Sequence, residues 1–208
     1  MKKVFSLFVL LSIVACSNPN LSDVYRNAQD RYQGSYSLTD VETSTAGVFI
    51  INDLLKTEEN SQLDFYHQLC FLNRSMRPGY ADVMLDEHDG EGRLRFMFSY
   101  LSLETNDARP PYTIDTPVWG SNGFGGTTAE EFPFSVQPDG SLLWGEPKGD
   151  YKEYKEDDIA VVLMSAPKLT SFDEKHLDIQ IEEFPVYDFN SRKVLLIPVI
   201  YHFVREKN

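Results

Sequence analysis

From Ser35 to Arg205 one pattern recurs: an apolar residue at every second position. The clearest case is Arg93–Leu103, where Leu94, Phe96, Phe98 and Tyr100 alternate with Arg93, Arg95, Met97 and Ser99. Ala81–Asp86, Glu131–Gln137 and Leu177–Glu182 alternate in the same way, and Ser35–Glu42 begins with Tyr36 and Leu38 on one face. Leu63–Leu72 sets Leu63, Phe65, Leu69 and Phe71 on one side. Successive side chains of an extended strand point to opposite faces, so each segment predicts a strand with one face buried. A chain built this way closes into stacked or curled antiparallel sheets.

Turn chemistry separates the strands. Pro138-Asp139-Gly140 joins Glu131–Gln137 to Ser141–Gly145 as a tight hairpin, and Asp86–Gly92 joins another pair with Asp89-Gly90 at its tip. Ile159–Ser165 and Arg192–Arg205 are more continuous apolar runs, and Pro198 predicts an edge or a bulge in the second. Val48–Leu55 fits either a strand or a helical turn. The segment Thr105–Thr128, rich in glycine and proline, predicts a long loop. One amphipathic helix precedes the strands. Ser22 is its expected N-cap, Leu21, Val24, Tyr25, Ala28 and Tyr32 form its apolar face, and Gly34 is placed to end it in the left-handed conformation. About nine or ten antiparallel strands with hairpin turns predict a mainly β fold, a β-barrel or a two-sheet sandwich with one N-terminal helix.

The start of the chain gives an address. Lys2 and Lys3 precede an apolar run from Val4 to Val14, which closes on Ile13-Val14-Ala15-Cys16. A basic start, a short apolar core and small residues read as a secretory signal, too short for a stable bilayer span. The ending resembles the lipobox of bacterial lipoproteins, in which the cysteine is acylated and becomes the first mature residue. That resemblance implies a signal peptide over residues 1–15, a lipid anchor on Cys16, a short tether over 16–21 and a single β-rich domain over 22–208. Each buried methylene of an acyl chain contributes about 0.8 kcal/mol, so two or three chains hold a protein firmly. Ser17 stands where an aspartate would resemble inner-membrane retention, so the expected location is the cell envelope at the outer membrane. Composition agrees with a life beside a membrane rather than on a polyanion. With 32 acidic residues against 19 basic ones, the net charge is −13, and losing Lys2 and Lys3 makes it more negative. No nucleic-acid partner is expected.

The order of elements carries a second resemblance. A helix, then Gly34-Ser35-Tyr36-Ser37-Leu38, then a meander of strands and a last strand ending Tyr201-His202-Phe203-Val204-Arg205 is similar to the lipocalin-like lipoproteins of Bacteroidetes. Lipocalins open their first strand with Gly-x-Trp and close an arginine near the last strand over that tryptophan. The corresponding positions are Gly34, Tyr36 and Arg205, with tyrosine in place of tryptophan. The resemblance implies a barrel around an apolar cavity and no catalysis.

Few residues point to chemistry. His67, His88, His176 and His202 are far apart and form no zinc spacing. Asp86–Glu91 is acidic enough to consider Ca²⁺, but its spacing is not that of an EF-hand and a solvated hairpin tip explains it. No metal and no cofactor are expected. No Gly-x-Ser-x-Gly elbow or phosphate-binding glycine loop is present. Cys70, within Leu69-Cys70-Phe71-Leu72, reads as a buried inert thiol on a strand, and with only Cys16 beside it no internal disulfide forms. Tyr112, Trp119 and Phe124, set among the glycines and prolines of Pro110–Thr128, are the candidate contacts for an apolar or glycan ligand. Three classes follow: a non-catalytic binding lipoprotein, an accessory lipoprotein docking on a protein partner, and an envelope hydrolase using a carboxylate pair.

The anchoring expectation has a direct check. Cys16→Ser is expected to move the protein from the membrane fraction to the soluble fraction on cell fractionation, whereas retention at the wild-type level contradicts acylation at Cys16.

Overall fold

A computed structural model describes residues 20–45, 64–72, 79–100, 103–105, 114–117, 126–149, 163–188, 191 and 193–207. Helix α1 (Leu21–Tyr32) opens at Asn20, whose side-chain oxygen accepts the Ser22 N–H at 3.3 Å. The cap therefore lies two residues before the expected Ser22. Asp23 in the first turn and Arg31 in the last complement the helix dipole. The helix stops at Gln33 in extended conformation, so Gly34 is not its left-handed cap. Gly34 instead begins the first strand with φ +147°.

The strands are β1 (Gly34–Thr43), β2 (Gly79–Leu85), β3 (Glu91–Tyr100), β4 (Leu103–Thr105), β5 (Ile114–Pro117) and β6 (Gly126–Val136). They continue with β7 (Leu142–Trp144), β8 (Lys148–Gly149), β9 (Lys168–Phe172), β10 (His176–Asp188) and β11 (Lys193–Arg205). One antiparallel sheet runs in the order β7-β6-β3-β2-β1-β11-β10-β9, with β8 beside β7 on β6, while β4 and β5 form a separate ribbon. The mainly β, antiparallel architecture with an N-terminal helix is the one the alternation predicts.

Why the sheet curls is visible in its two faces. Every second residue turns to the concave side: Tyr36 and Leu38 from β1, Leu94, Phe96 and Phe98 from β3, Phe132 and Phe134 from β6, Ile179 from β10, Tyr201 and Phe203 from β11. These aromatics pack edge to face and stacked, as in Phe96 on Phe98 at 4.7 Å and Phe96 on Tyr201 at 5.1 Å. Each fully buried ring stabilises the fold by roughly 1.5–3 kcal/mol, and only a curled sheet lets so many meet. The convex side carries charges in cross-strand register, such as Asp82, Arg95 and Glu131 on β2, β3 and β6.

Register also divides the molecule into two ends. The β2–β3, β6–β7 and β9–β10 turns, the start of β1 and the end of β11 all lie at one end. Helix α1 sits among them. Tyr25 lies against Gly90, Val24 and Ala28 line a crevice with Pro138–Gly140, and Arg31 pairs with Glu174 at 2.6 Å. The connections over 44–78, 101–125, 150–167 and 189–192 all leave from the other end.

Several expectations change. Leu63–Leu72 is not a strand: Phe65–Leu72 is helix α2, and Cys70 lies in a helix. Asp64 caps it, its carboxylate accepting the His67 N–H at 2.8 Å. Phe65, Gln68 and Leu69 are buried at i, i+3 and i+4, a set that the apolar positions matched as readily as a period of two. The run Arg93–Leu103 divides into β3 and β4. Thr105–Thr128 is not all loop, because β5 pairs with β4 and residues 126–128 belong to β6. Pro198 is not on an edge strand, since β11 lies between β1 and β10, but β10 carries an extra residue between Ile181 and Phe184, opposite it. A proline cannot donate to the ladder, and the bulge accommodates it. In Ile159–Ser165 the described residues 163–165 are not strand, and Val48–Leu55 lies outside the described residues.

Among the described residues, Tyr201 is fully buried and its phenol oxygen has no hydrogen-bond partner, which is true of the buried Thr128 hydroxyl as well. Tyr36, equally buried, donates to the Tyr32 carbonyl at 3.2 Å. Burial pushes the Tyr36 phenol up to about 12, Arg205 offsetting part of the effect, and burial raises Tyr201 as well. A phenol whose folded-state pKa lies above the unfolded value of about 10 stabilises fully below that pH and loses its contribution as the pH climbs through the folded value. Tyr201→Phe should therefore leave stability at pH 7 unchanged or raised, whereas Tyr36→Phe should cost about 1 kcal/mol for its lost hydrogen bond. In denaturant titrations the wild type should weaken between pH 10 and about 12, and the two substitutions together should flatten that decline.

Candidate functional site

The three positions of the lipocalin-like signature do meet. Tyr36 and Arg205 are directly paired across β1 and β11. The Arg205 guanidinium folds under the end of α1, donating to the carbonyls of Arg31 and Gln33 at 2.5 Å and of Asp30 at 3.2 Å. Those carbonyls are among the ones a helix end leaves without an internal partner. A side chain at Gly34 would stand 3.3 Å from the Arg205 Nε, and φ +147° excludes most residues, so glycine is required twice over. This constellation fastens the helix to the sheet. It presents no open surface.

The interior is not open either. Phe96, Phe98, Phe134 and Ile179, which would line a ligand cavity in a lipocalin-like barrel, are 0–2% exposed. The apolar cavity implied by the resemblance is thus replaced, at these positions, by a packed core. Packing extends to polar groups: Glu130 on the inward side of β6, opposite Phe96, is fully buried, and Thr128 and Gln68 are nearly so.

Space appears instead where the sheet's edges meet. The edge strands β7 and β9 face one another, yet among the described residues no hydrogen-bond ladder joins them. Aromatic contacts close the gap. Trp144, across from Phe134 in register, stands edge-on to it at 5.0 Å and to Phe172 of β9 at 5.3 Å. Phe172 then reaches Tyr32 at 5.5 Å and Tyr36 at 6.1 Å. Beside this seam lies a groove of about 510 Å³ lined by Phe132, Trp144, Pro147, Leu169, Thr170 and Ser171, among others. Trp144 and Phe172 are half-buried, while the Thr170 and Ser171 residues are exposed. The groove thus sets aromatic walls beside hydroxyls.

Its two rims are poor templates for a further strand. Strands β7 and β8 have 3 and 2 residues. Strand β9 follows Pro167, starts with Lys168 and carries Thr170 as an extra residue against β10. Short edges, a lysine and a bulge are the devices by which sheets refuse edge-to-edge pairing.

Other clusters are accounted for locally. In Asp86–Glu91, Asp86 accepts the His88 N–H at 2.8 Å and Asp89 the Glu91 N–H at 2.9 Å. Asp139 accepts the Ser141 hydroxyl at 2.6 Å and its N–H at 2.9 Å, and Asp173 accepts the Lys175 N–H at 2.6 Å; these bonds hold both carboxyls below the usual range. Aspartate at these positions shapes turns. Among the described residues no three His, Cys, Asp or Glu side chains converge as a cation site. His202 bridges neighbouring strands on the convex face, 2.8 Å from Asp178 and 3.6 Å from Glu42. A larger groove of about 640 Å³ beside α1 is lined by Asp86, Glu91, Arg93, Glu131 and Lys148, with opposite charges side by side and no aromatic wall.

The sequence-predicted contacts Tyr112, Trp119 and Phe124 lie outside the described residues, as does Cys16; the Cys70 side chain is likewise not described. Trp144 and Phe172 are the residues that sequence reasoning missed. The one signal was a tryptophan closing a strand of three residues just after the Pro138-Asp139-Gly140 turn. No family model, no curated protein and no solved structure matches this chain.

The seam's dependence on its rings can be measured. Trp144→Ala removes contacts on both sides of the gap and should cost about 2–3 kcal/mol in chemical denaturation. Leu143→Ala, one residue away but facing outward and 60% exposed, should stay within about 0.5 kcal/mol of wild type.

Proposed function

We propose that this protein is a non-catalytic envelope lipoprotein, anchored through Cys16, that binds a glycan in the groove between β7 and β9. The groove supports the reading through its mixed lining. A pyranose ring has an apolar face and a hydroxylated rim, and it suits an aromatic wall beside Thr170 and Ser171. The packed interior argues against an acyl chain, which needs an enclosed apolar cavity. The blunted rims argue against the accessory reading in which a partner adds a strand. An envelope hydrolase would use converging carboxylates, and the acids of the described turns act as turn formers.

The test uses Trp119→Phe, which leaves Trp144 as the only indole. Titration with a panel of oligosaccharides should give a saturable change in its emission for at least one glycan. Thr170→Val with Ser171→Ala should weaken that binding tenfold or more, while losing the exposed bond from the Thr170 hydroxyl to the Asp178 carbonyl at 3.2 Å should cost no more than about 1 kcal/mol of stability. A panel without response, or equal affinity in the double variant, overturns the assignment of the groove.

A further inference from the structure

The two ends of the sheet differ, and the proposed anchor meets only one of them. Residues 17–20 lie between Cys16 and Leu21, the first residue of α1, so five Cα–Cα steps join the anchor to the helix. Five such steps span at most about 18 Å even when fully extended. Strand β11 has 13 residues, which at roughly 3.3 Å each makes the sheet about 40 Å tall along that strand. An anchor on Cys16 therefore cannot bring the far end of the sheet to the bilayer while the sheet stands upright. Helix α1 also has no freedom to swing away from its end. Arg205 holds its last carbonyls, Gln29 donates to the Leu85 carbonyl at 3.3 Å, and the Gln33 side chain accepts the Leu85 N–H at 3.3 Å.

We infer that the end closed by α1 is the bilayer-facing surface, with the β2–β3, β6–β7 and β9–β10 turns next to the headgroups and the long connections directed away. The inference rests on the anchoring reading. Two further features fit, and a third must be overcome by the anchor. Leu21, at the start of α1, is 46% exposed and sits where the tether arrives. The facing turns are short and held by aspartate hydrogen bonds, so this end is rigid. It is also acidic, carrying Asp86, Glu87, Asp89, Asp139, Asp173 and Glu174. Charge alone would not draw it to anionic lipid, so acyl chains must supply the attraction.

The experiment uses the lipidated full chain in phosphatidylcholine vesicles containing a headgroup-labelled energy acceptor. Donors are placed through His88→Cys at a turn of the α1 end and through Lys193→Cys at the far end, each with Cys70→Ala. Transfer from position 88 should exceed that from position 193 several-fold. A second measurement avoids cysteine variants: hydrogen exchange of wild type on vesicles, compared with unlipidated Cys16→Ser. Protection should rise at residues 86–90, 137–141 and 173–175 and stay unchanged at 193–196. Equal or reversed transfer, or protection gained at 193–196, overturns the orientation if intact mass shows acylation. A mass without acyl chains, with no flotation on vesicles, overturns the anchoring reading itself and the orientation with it.

Discussion

A helix end leaves carbonyls that need donors, and here one side chain from the other end of the chain supplies them. Arg205, the last residue of β11, donates to three carbonyls at the end of α1. Its positive charge lies where the helix dipole is negative. The same guanidinium leaves no room for a side chain at Gly34 and stands beside Tyr36, its partner in register. Helix, first strand and last strand are thereby fixed at one point. The placement of α1 among the three tight turns follows from that point.

The packed core and the open groove occupy different places in this sheet. The concave side is filled by rings that touch one another, so the interior acts as a core. The edges are brought together by the same curl, but their strands are too short and too irregular to pair. What closes them is the contact of Trp144 with Phe172, a side-chain joint in place of a backbone ladder. Such a joint leaves a groove beside it, because rings fill the gap only where they stand. The groove beside Trp144 and Phe172 therefore arises as a by-product of incomplete closure.

Conformational cost explains the asymmetry of the ends. Tight turns at the α1 end use aspartate carboxylates to hold backbone N–H groups, a local device that needs no tertiary support. The opposite end joins strands through long connections, including α2 and the β4–β5 ribbon. Loops carry binding more often than frameworks do, because they vary without disturbing the core.

The sequence by itself determined the longer strands β1, β2, β3, β6, β10 and β11, the hairpin turns between them and the faces they bury, but not the short strands β4, β5, β8 and β9. Alternation in Arg93–Tyr100 and Glu131–Gln137 is a local consequence of the extended backbone, as is the use of glycine at Gly90 and Gly140, where φ is positive. The meeting of Tyr36 and Arg205 across β1 and β11 was expected only through the resemblance of the Gly34-Ser35-Tyr36 start and the Arg205 end to another family's motif, not from composition or periodicity. Leu63–Leu72 was misread because Phe65 and Leu69 lie on one face under either period, and only the Asp64 cap and the packing of Phe65 on Phe184 at 6.5 Å settle the helix. The tertiary structure alone decided that the interior is filled and that Trp144 meets Phe172. Both depend on how far the sheet curls, a sum of twists over many strands that no single segment encodes.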